Sequence, residues 1–106
     1  MATQKETVEY ILEALDDDKT FSARPMFGEF ALYANQQVVA LICDDTLYVK
    51  IMPASQALAS SCKQGQPYPG AKAYYIVAEE QLHTIDHLPQ ILRNIADEIP
   101  AKKRKI

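Results

Sequence analysis

Several residue types on which protein chemistry often depends are scarce in this sequence. It contains no tryptophan, three glycines, two histidines and two cysteines in 106 residues. Two cysteines are too few for a disulfide framework, and glycines at positions 28, 65 and 70 cannot form either glycine-rich nucleotide-binding fingerprint. The composition therefore predicts neither a disulfide-stapled domain nor a nucleotide-binding enzyme.

Long apolar segments are also lacking. The longest uninterrupted apolar run is 38–43, far shorter than the roughly 20 residues that cross a bilayer. The first ten residues carry charges and no apolar segment, which argues against a secretory signal peptide. We therefore expect a cytoplasmic protein without membrane contact, in a compartment that keeps thiols reduced.

Positive charge is concentrated at one end of the chain. Residues 1–101 carry seven Lys or Arg against fourteen Asp or Glu, and 102–105 then add four positive charges, for a net charge of −3. An acidic body repels a phosphate backbone, so direct nucleic-acid binding is not expected. We interpret 102–106 as a solubilising basic tail, and a salt-sensitive contact of this tail with DNA is the alternative.

The length of the chain predicts one domain, residues 1–101, followed by the tail. At its start, Val8, Ile11 and Leu15 repeat at helical spacing. Thr3 and Glu6 have the spacing of a capping box, which places the beginning of an amphipathic helix there.

Four predicted strands follow, at 20–26, 29–34, 37–43 and 46–52, separated by short turns. The unbroken apolar pattern of the third predicts a central strand that is covered on both faces. The fourth alternates, with Leu47, Val49 and Ile51 on the predicted core face.

The rest of the chain predicts a short helix at 54–62, a surface loop at 63–72 and a strand at 73–77. The last helix is predicted from about Asp86, with Pro89 in its first turn, to Pro100. The predicted order is α-β-β-β-β-α-β-α. This order describes an α+β fold, an antiparallel β-meander with flanking helices.

No catalytic, metal-binding or cofactor-binding residue is predicted. His83 and His87 are four residues apart, but no third ligand stands at a recognisable spacing, and we interpret both as surface histidines. Cys43 lies in an apolar run, and Cys62 has only Lys63 beside it, so both are interpreted as small buried hydrophobic residues.

Aromatic and cationic residues are predicted on the sheet face away from the core. Tyr48 and Lys50 alternate with the core residues of their strand, and Tyr33 can join them on that side. Tyrosine and arginine on an uncovered face favour a protein interface. The alternative is that these rings only cover the sheet, because strand propensity alone favours them. The residues expected nearby are Arg24, Phe27, Tyr68 and one of Tyr74 or Tyr75.

Three strings in the chain resemble a known family. They are the R-P-M-F-G string beginning at Arg24, then F-A-L-Y beginning at Phe30 and L-Y-V-K ending at Lys50. They are similar to the N-terminal domain of the TfoX/Sxy family, bacterial proteins associated with the regulation of natural competence. Y-P-G-A-K beginning at Tyr68 matches a branch of that family. The resemblance runs from about Thr3 to Ile99.

The resemblance implies a secretion-chaperone-like α+β fold and a regulatory or adaptor role rather than catalysis. Full-length competence regulators of this type carry a second, helical domain, so for a sequence that ends at Ile106 we expect a stand-alone N-terminal-type domain. The family provides no catalytic residues to transfer.

The leading hypothesis is a non-enzymatic bacterial regulator or adaptor that contacts a partner protein or a second copy of itself as a homodimer, with competence regulation as one process in which it would act. The residues predicted to form this contact are Arg24, Phe27, Tyr48, Lys50 and Tyr68. The alternative is a small-ligand binding module, or a minor enzyme, that uses a cleft beside the 63–72 loop.

Overall fold

The computed structural model describes residues 4–15, 21–26, 29–82, 84–85 and 87–99, without the side chain of Glu79. Some predicted features lie outside the described residues. These are Thr3 of the capping box, Phe27 and Gly28 of the first turn, His83, Asp86, Pro100 and the basic tail.

Two α-helices, six strands and two 3-10 helices make up the described structure. In chain order they are α1 (Lys5–Leu15), β1 (Phe21–Met26), β2 (Glu29–Ala34), β3 (Gln37–Cys43), β4 (Thr46–Lys50), the first 3-10 helix (Pro53–Ser60), β5 (Lys63–Gly65), β6 (Tyr74–Val77), the second 3-10 helix (Glu79–Leu82) and α2 (Leu88–Glu98).

All six strands form one antiparallel sheet in the order β1-β2-β3-β4-β6-β5. Two-residue turns join β2 to β3 and β3 to β4. In these turns Asn35, Gln36, Asp44 and Asp45 all have positive φ, between 50° and 69°. Positive φ at both central residues is typical of the type I′ turn, whose twist matches that of the flanking strands. The predicted meander is thereby confirmed.

One face of the sheet is covered by the helices, and this layer forms the main core. The helices contribute buried aliphatic side chains: Val8, Ile11 and Leu15 from α1, Leu58 from the first 3-10 helix, and Leu88, Ile91, Leu92 and Ile95 from α2. The strands contribute Leu32, Ile42, Leu47, Val49, Tyr75 and Val77 from one face. The predicted α+β class is therefore confirmed.

A tertiary contact provides a hydrogen-bond acceptor at the beginning of α1. The carboxylate of Asp45, in the turn between β3 and β4, accepts hydrogen bonds from the Gln4 backbone N–H at 2.8 Å and the Thr7 hydroxyl at 2.9 Å. Free N–H groups at a helix start need such acceptors. Local sequence does not indicate this contact, because Asp45 is 38 residues from Thr7.

The prediction that the fourth strand continues to Met52 with Ile51 in the core is wrong. β4 ends at Lys50, and Ile51 is 39% exposed. The cause is Ser55, which is fully buried and holds the chain in a turn. Its hydroxyl accepts a hydrogen bond from the Met52 N–H at 2.9 Å and donates to the Lys50 carbonyl at 2.6 Å. The predicted helix at 54–62 is a 3-10 helix that begins at Pro53.

Another correction concerns the predicted loop at 63–72, whose first three residues form β5 on the edge of the sheet. β5 pairs with β6, which places Gly65 opposite Tyr74. A Cβ atom at Gly65 would lie 2.7 Å from the Ile76 side chain, so glycine allows this close approach. Pairing with β6 therefore gives Lys63–Gly65 a strand conformation that its composition does not favour.

The C-terminal helix begins slightly later than predicted. α2 starts at Leu88 after His87, which has a left-handed conformation with φ 63°. Pro89 lies in the first turn, as predicted, where its missing N–H costs no hydrogen bond. The second 3-10 helix, Glu79–Leu82, was not predicted. No helix within the described ranges is both long and apolar enough to cross a membrane.

The role of Ser55 can be tested by replacing it with alanine. Ser55→Ala leaves the Met52 N–H and the Lys50 carbonyl without their buried partner, so we expect the free energy of unfolding to fall by about 1–3 kcal/mol. Ser60→Ala is the matched control, because Ser60 is exposed in the same 3-10 helix, and should change stability by less than about 0.5 kcal/mol. Equal losses in urea unfolding of the two variants would contradict this account.

Candidate interaction surface

We call the sheet face opposite the helices the far face. Side chains alternate between the two faces of a strand, so the register of the sheet determines which residues lie on the far face. Its main residues are Arg24 and Met26 on β1, Ala31 and Tyr33 on β2, Leu41 and Cys43 on β3, Tyr48 and Lys50 on β4, and Tyr74 and Ile76 on β6.

A small second apolar cluster lies on the far face. Ala31, Leu41 and Cys43 are buried there, at 1%, 3% and 3% exposure. Larger, partly buried side chains pack around these small ones: Met26, Tyr33, Val38, Tyr48 and Tyr74. The prediction that β3 is covered on both faces is thus confirmed, although the second cover is a ring of side chains rather than a helix layer.

Arg24 and Tyr48 belong to one row of paired residues across the sheet. Arg24 pairs with Ala31, Ala31 with Leu41, and Leu41 with Tyr48. Three strand spacings separate the two ends, so their backbones lie about 14 Å apart. The Arg24 guanidinium carbon also lies 5.3 Å from the centre of the Tyr33 ring, which is cation–π distance. We call Arg24, Tyr33 and Tyr48 the tyrosine–arginine patch.

A second region of the far face lies beside the loop between β5 and β6. Here Lys50 pairs with Tyr74, and the loop closes a cleft of about 530 Å³ next to them. We call this concavity the lysine cleft. It is lined by Lys50, Ile51, Met52, Tyr68, Gly70, Ala71, Lys72, Ala73 and Tyr74.

Tyr68 joins the lysine cleft to a neighbouring apolar groove. Its side chain is 51% exposed and lines both concavities. The groove has a volume of about 330 Å³ and is otherwise lined by Met26, Glu29, Cys43 and Pro67. The loop therefore lies over part of the far face instead of projecting away from the sheet.

Burial changes the acid–base properties of several groups on this face. Burial, and then the nearby charge of Lys72, lower the pKa of Lys50. Burial is also the main cause that raises the pKa of Tyr48 and of Tyr74. Both phenols therefore stay protonated at neutral pH and can donate hydrogen bonds.

The two thiols have the properties of structural cysteines. Burial, followed by the charges of Glu29 and Asp44, raises the pKa of Cys43. Burial also raises the pKa of Cys62, against a hydrogen bond from Ser61 that lowers it. Because the thiolate is the nucleophilic form, both shifts oppose catalysis by either cysteine.

A further cavity, of about 400 Å³, lies between α1 and the ends of β4 and β6. Its polar lining includes Glu6, Thr7, Tyr10 and Asp45. The Asp45 carboxylate already accepts hydrogen bonds from the beginning of α1, so its oxygens serve the fold. This cavity therefore carries no functional assignment.

Metal binding finds no support in the part of the chain that the structure describes. No group of three or more His, Cys, Asp or Glu side chains is close enough there to hold an ion. His87 is exposed at the start of α2, as expected of a surface histidine, and His83 lies outside the described residues. The absence of a metal site therefore stays a prediction.

The structure brings most of the predicted contact residues together. Arg24, Tyr48 and Lys50 share the far face, and Tyr68 lines the lysine cleft beside Lys50. Phe27 lies outside the described residues. That these residues bind a partner stays a prediction.

Sequence reasoning left two members of this surface undecided or unnoticed. It left open whether Tyr74 or Tyr75 faces away from the core, and the structure selects Tyr74, since Tyr75 is only 4% exposed in the main core. Lys72 was missed because loop residues follow no periodic pattern. The available clue was Pro69-Gly70, which predicts a turn with a defined conformation just before Lys72.

Comparison with known proteins gives two matches. The family model described as the TfoX N-terminal domain matches residues 13–98. The chain is also similar to an uncharacterised 12.7 kDa protein encoded in the trpE 5′ region of Spirochaeta aurantia, with 31% identity over 103 residues. That alignment covers 97% of this chain and 89% of the relative.

Thiol reactivity tests the structural role of the cysteines. Both cysteines are buried with raised pKa values, so we expect iodoacetamide at pH 8 to alkylate them at least about a hundredfold more slowly in the native protein than in urea. The measurement is mass spectrometry of each cysteine peptide over time. Native alkylation of Cys43 or Cys62 at the rate seen in urea would contradict the assignment.

Proposed function

The chain belongs to the TfoX N-terminal domain family, and on that premise we propose that it is a non-catalytic regulatory or adaptor protein whose far face binds an acidic segment of a partner protein. The tyrosine–arginine patch is the observation that carries this proposal. Its rings are only partly buried, and within the described residues the helices pack on the opposite face.

The chemistry of the patch suits protein recognition. Tyrosine offers a large contact area with few rotamers to lose, and arginine combines apolar stacking with directed hydrogen bonds. Arg24 is exposed, yet its guanidinium is held over the Tyr33 ring. The small buried cluster beneath also packs against the rings, so few side chains have to become ordered on binding.

The charge of the far face favours an acidic partner. Arg24, Lys50, Lys63 and Lys72 lie on this face or in the loop over it, whereas the carboxylates near it among the described residues are those of Glu29 and Asp44. The whole chain, by contrast, carries a net charge of −3. Complementary charge steers encounter and excludes wrong partners. Pairing this face with itself in a homodimer would oppose like charges, so we place a different protein there.

The chemistry of the far face also supports a non-catalytic role. The thiol of this face, Cys43, is buried and has a raised pKa. No histidine occurs among the far-face residues that the structure describes, so the Cys43 thiol has no imidazole base beside it there. Binding is therefore the better-supported use of this surface.

Charge reversal on the patch tests the proposal. A partner is first captured with the full chain from cells of the source organism, and its binding is then measured by calorimetry with both proteins purified. Arg24→Glu should weaken binding by at least about tenfold, since it removes the cation of the tyrosine–arginine patch and repels an acidic segment. Thermal stability should change little, because Arg24 is exposed.

Lys5→Glu is the matched control, because it reverses an exposed charge on α1, on the other side of the molecule. It should leave the affinity within about twofold of the wild type. Equal affinity for the wild type and the Arg24→Glu variant would overturn the proposal. So would a stable dimer in sedimentation that Arg24→Glu dissociates, because the partner would then be a second copy.

A further inference from the structure

We propose that the lysine cleft binds a small organic anion, with its phosphate or carboxylate group between Lys50 and Lys72 and its apolar part against Tyr68 and Tyr74. This site does not depend on the proposed partner surface, which is centred on the tyrosine–arginine patch. The cleft volume of about 530 Å³ lies in the range of small-molecule sites.

The two lysines are the first support for this inference. Both line the cleft, and no aspartate or glutamate is among the described residues that line it. The causes that shift the pKa of Lys50 are burial and the charge of Lys72, and both disfavour its charged form. No carboxylate in the described part of the chain offsets them. An anion between the two ammonium groups would supply the missing negative charge.

The loop that closes the cleft has a fixed conformation, which is the second support. Tyr68-Pro69-Gly70-Ala71 forms a turn in which the Ala71 N–H donates to the Tyr68 carbonyl at 3.1 Å. Gly70 has φ +87°, the left-handed value that a type II turn with proline before it requires. The Gln66 side-chain amide also donates to the Ala71 carbonyl at 2.6 Å. Lys72 is therefore the first residue after a turn that two hydrogen bonds stabilise.

The tyrosines define the rest of the ligand. Tyr68 is half exposed at the cleft, and Tyr74 is partly buried beside Lys50. Both rings line the cleft, and after burial the charge of Tyr68 contributes to the raised pKa of Tyr74. Two rings beside two ammonium groups suit a ligand that joins an aromatic or apolar group to an oxyanion.

The test uses four probes at low salt: phenyl phosphate, phenylacetate, inorganic phosphate and uncharged benzyl alcohol. Binding is followed in ¹H–¹⁵N spectra of the full chain. We expect phenyl phosphate or phenylacetate to shift the amides of Lys50, Gly70 and Lys72 in a saturable way. The first two probes distinguish a phosphate from a carboxylate ligand. Benzyl alcohol should bind at least tenfold more weakly than the better of them.

The variant Lys50→Met/Lys72→Met should reduce the affinity for that anion at least tenfold. Methionine keeps an apolar stem in each position, so the fold should be retained, which the spectrum itself reports. Lys63→Met is the matched control on the neighbouring strand, since Lys63 does not line the cleft, and should leave the affinity unchanged.

Three results would overturn the proposal: no saturable shift with any anionic probe at 10 mM, unchanged affinity in the double variant, or equal binding of benzyl alcohol. Arg24→Glu separates this site from the partner surface, because it should not alter anion affinity. Loss of anion binding in the double variant, with unchanged anion affinity in Arg24→Glu, would show that the anion binds in the lysine cleft and not at the tyrosine–arginine patch.

Discussion

β4 lies between β3 and β6, and its register with both strands determines which side chains meet on each face of the sheet. The pairing places Leu47 and Val49 under the helices, and Tyr48 and Lys50 on the far face. A shift of one residue would exchange the two sets. The main core holds this register, because the shift would expose Leu47 and Val49, which are now 1% and 0% exposed. Everything proposed for the far face depends on this constraint.

The sequence allowed the central part of the fold to be predicted because periodicity and turn chemistry agree there. Alternation in β4, the apolar run of β3 and the two-residue turns all indicate the same meander. Prediction was wrong where distant contacts decide the conformation. β5 is a strand because β6 pairs with it, and Ile51 is exposed because buried Ser55 turns the chain after Lys50.

The candidate surface, like the fold, was predictable where it lies on a periodic strand and not where it depends on distant contacts. Tyr48 and Lys50 follow from alternation alone, whereas the lysine cleft depends on a loop that returns over the sheet. Loops have no period, so the position of Lys72 beside Lys50 could not be read from the chain. The choice between Tyr74 and Tyr75 likewise needed the register of β6, since both residues suit a strand equally.

The two proposed sites lie on the far face of one sheet. The tyrosine–arginine patch combines partly buried rings with a cation, which suits a protein surface, and the lysine cleft is concave and cationic, which suits a small anion. Both lie opposite the helix layer, so neither requires the main core to rearrange. In β4, core residues and residues of the proposed sites thus alternate along the strand.

Hydroxyl-radical footprinting of the free protein tests the central claim, that the register leaves the far face accessible. Tyr74 and Tyr75 are adjacent in sequence but lie on opposite faces, so their oxidation rates compare the two faces directly. The account predicts that Tyr74 and Tyr48 are oxidised, with Tyr68 fastest, while Tyr75 is protected. Protection of Tyr74 with oxidation of Tyr75 would contradict the register and the surface built on it.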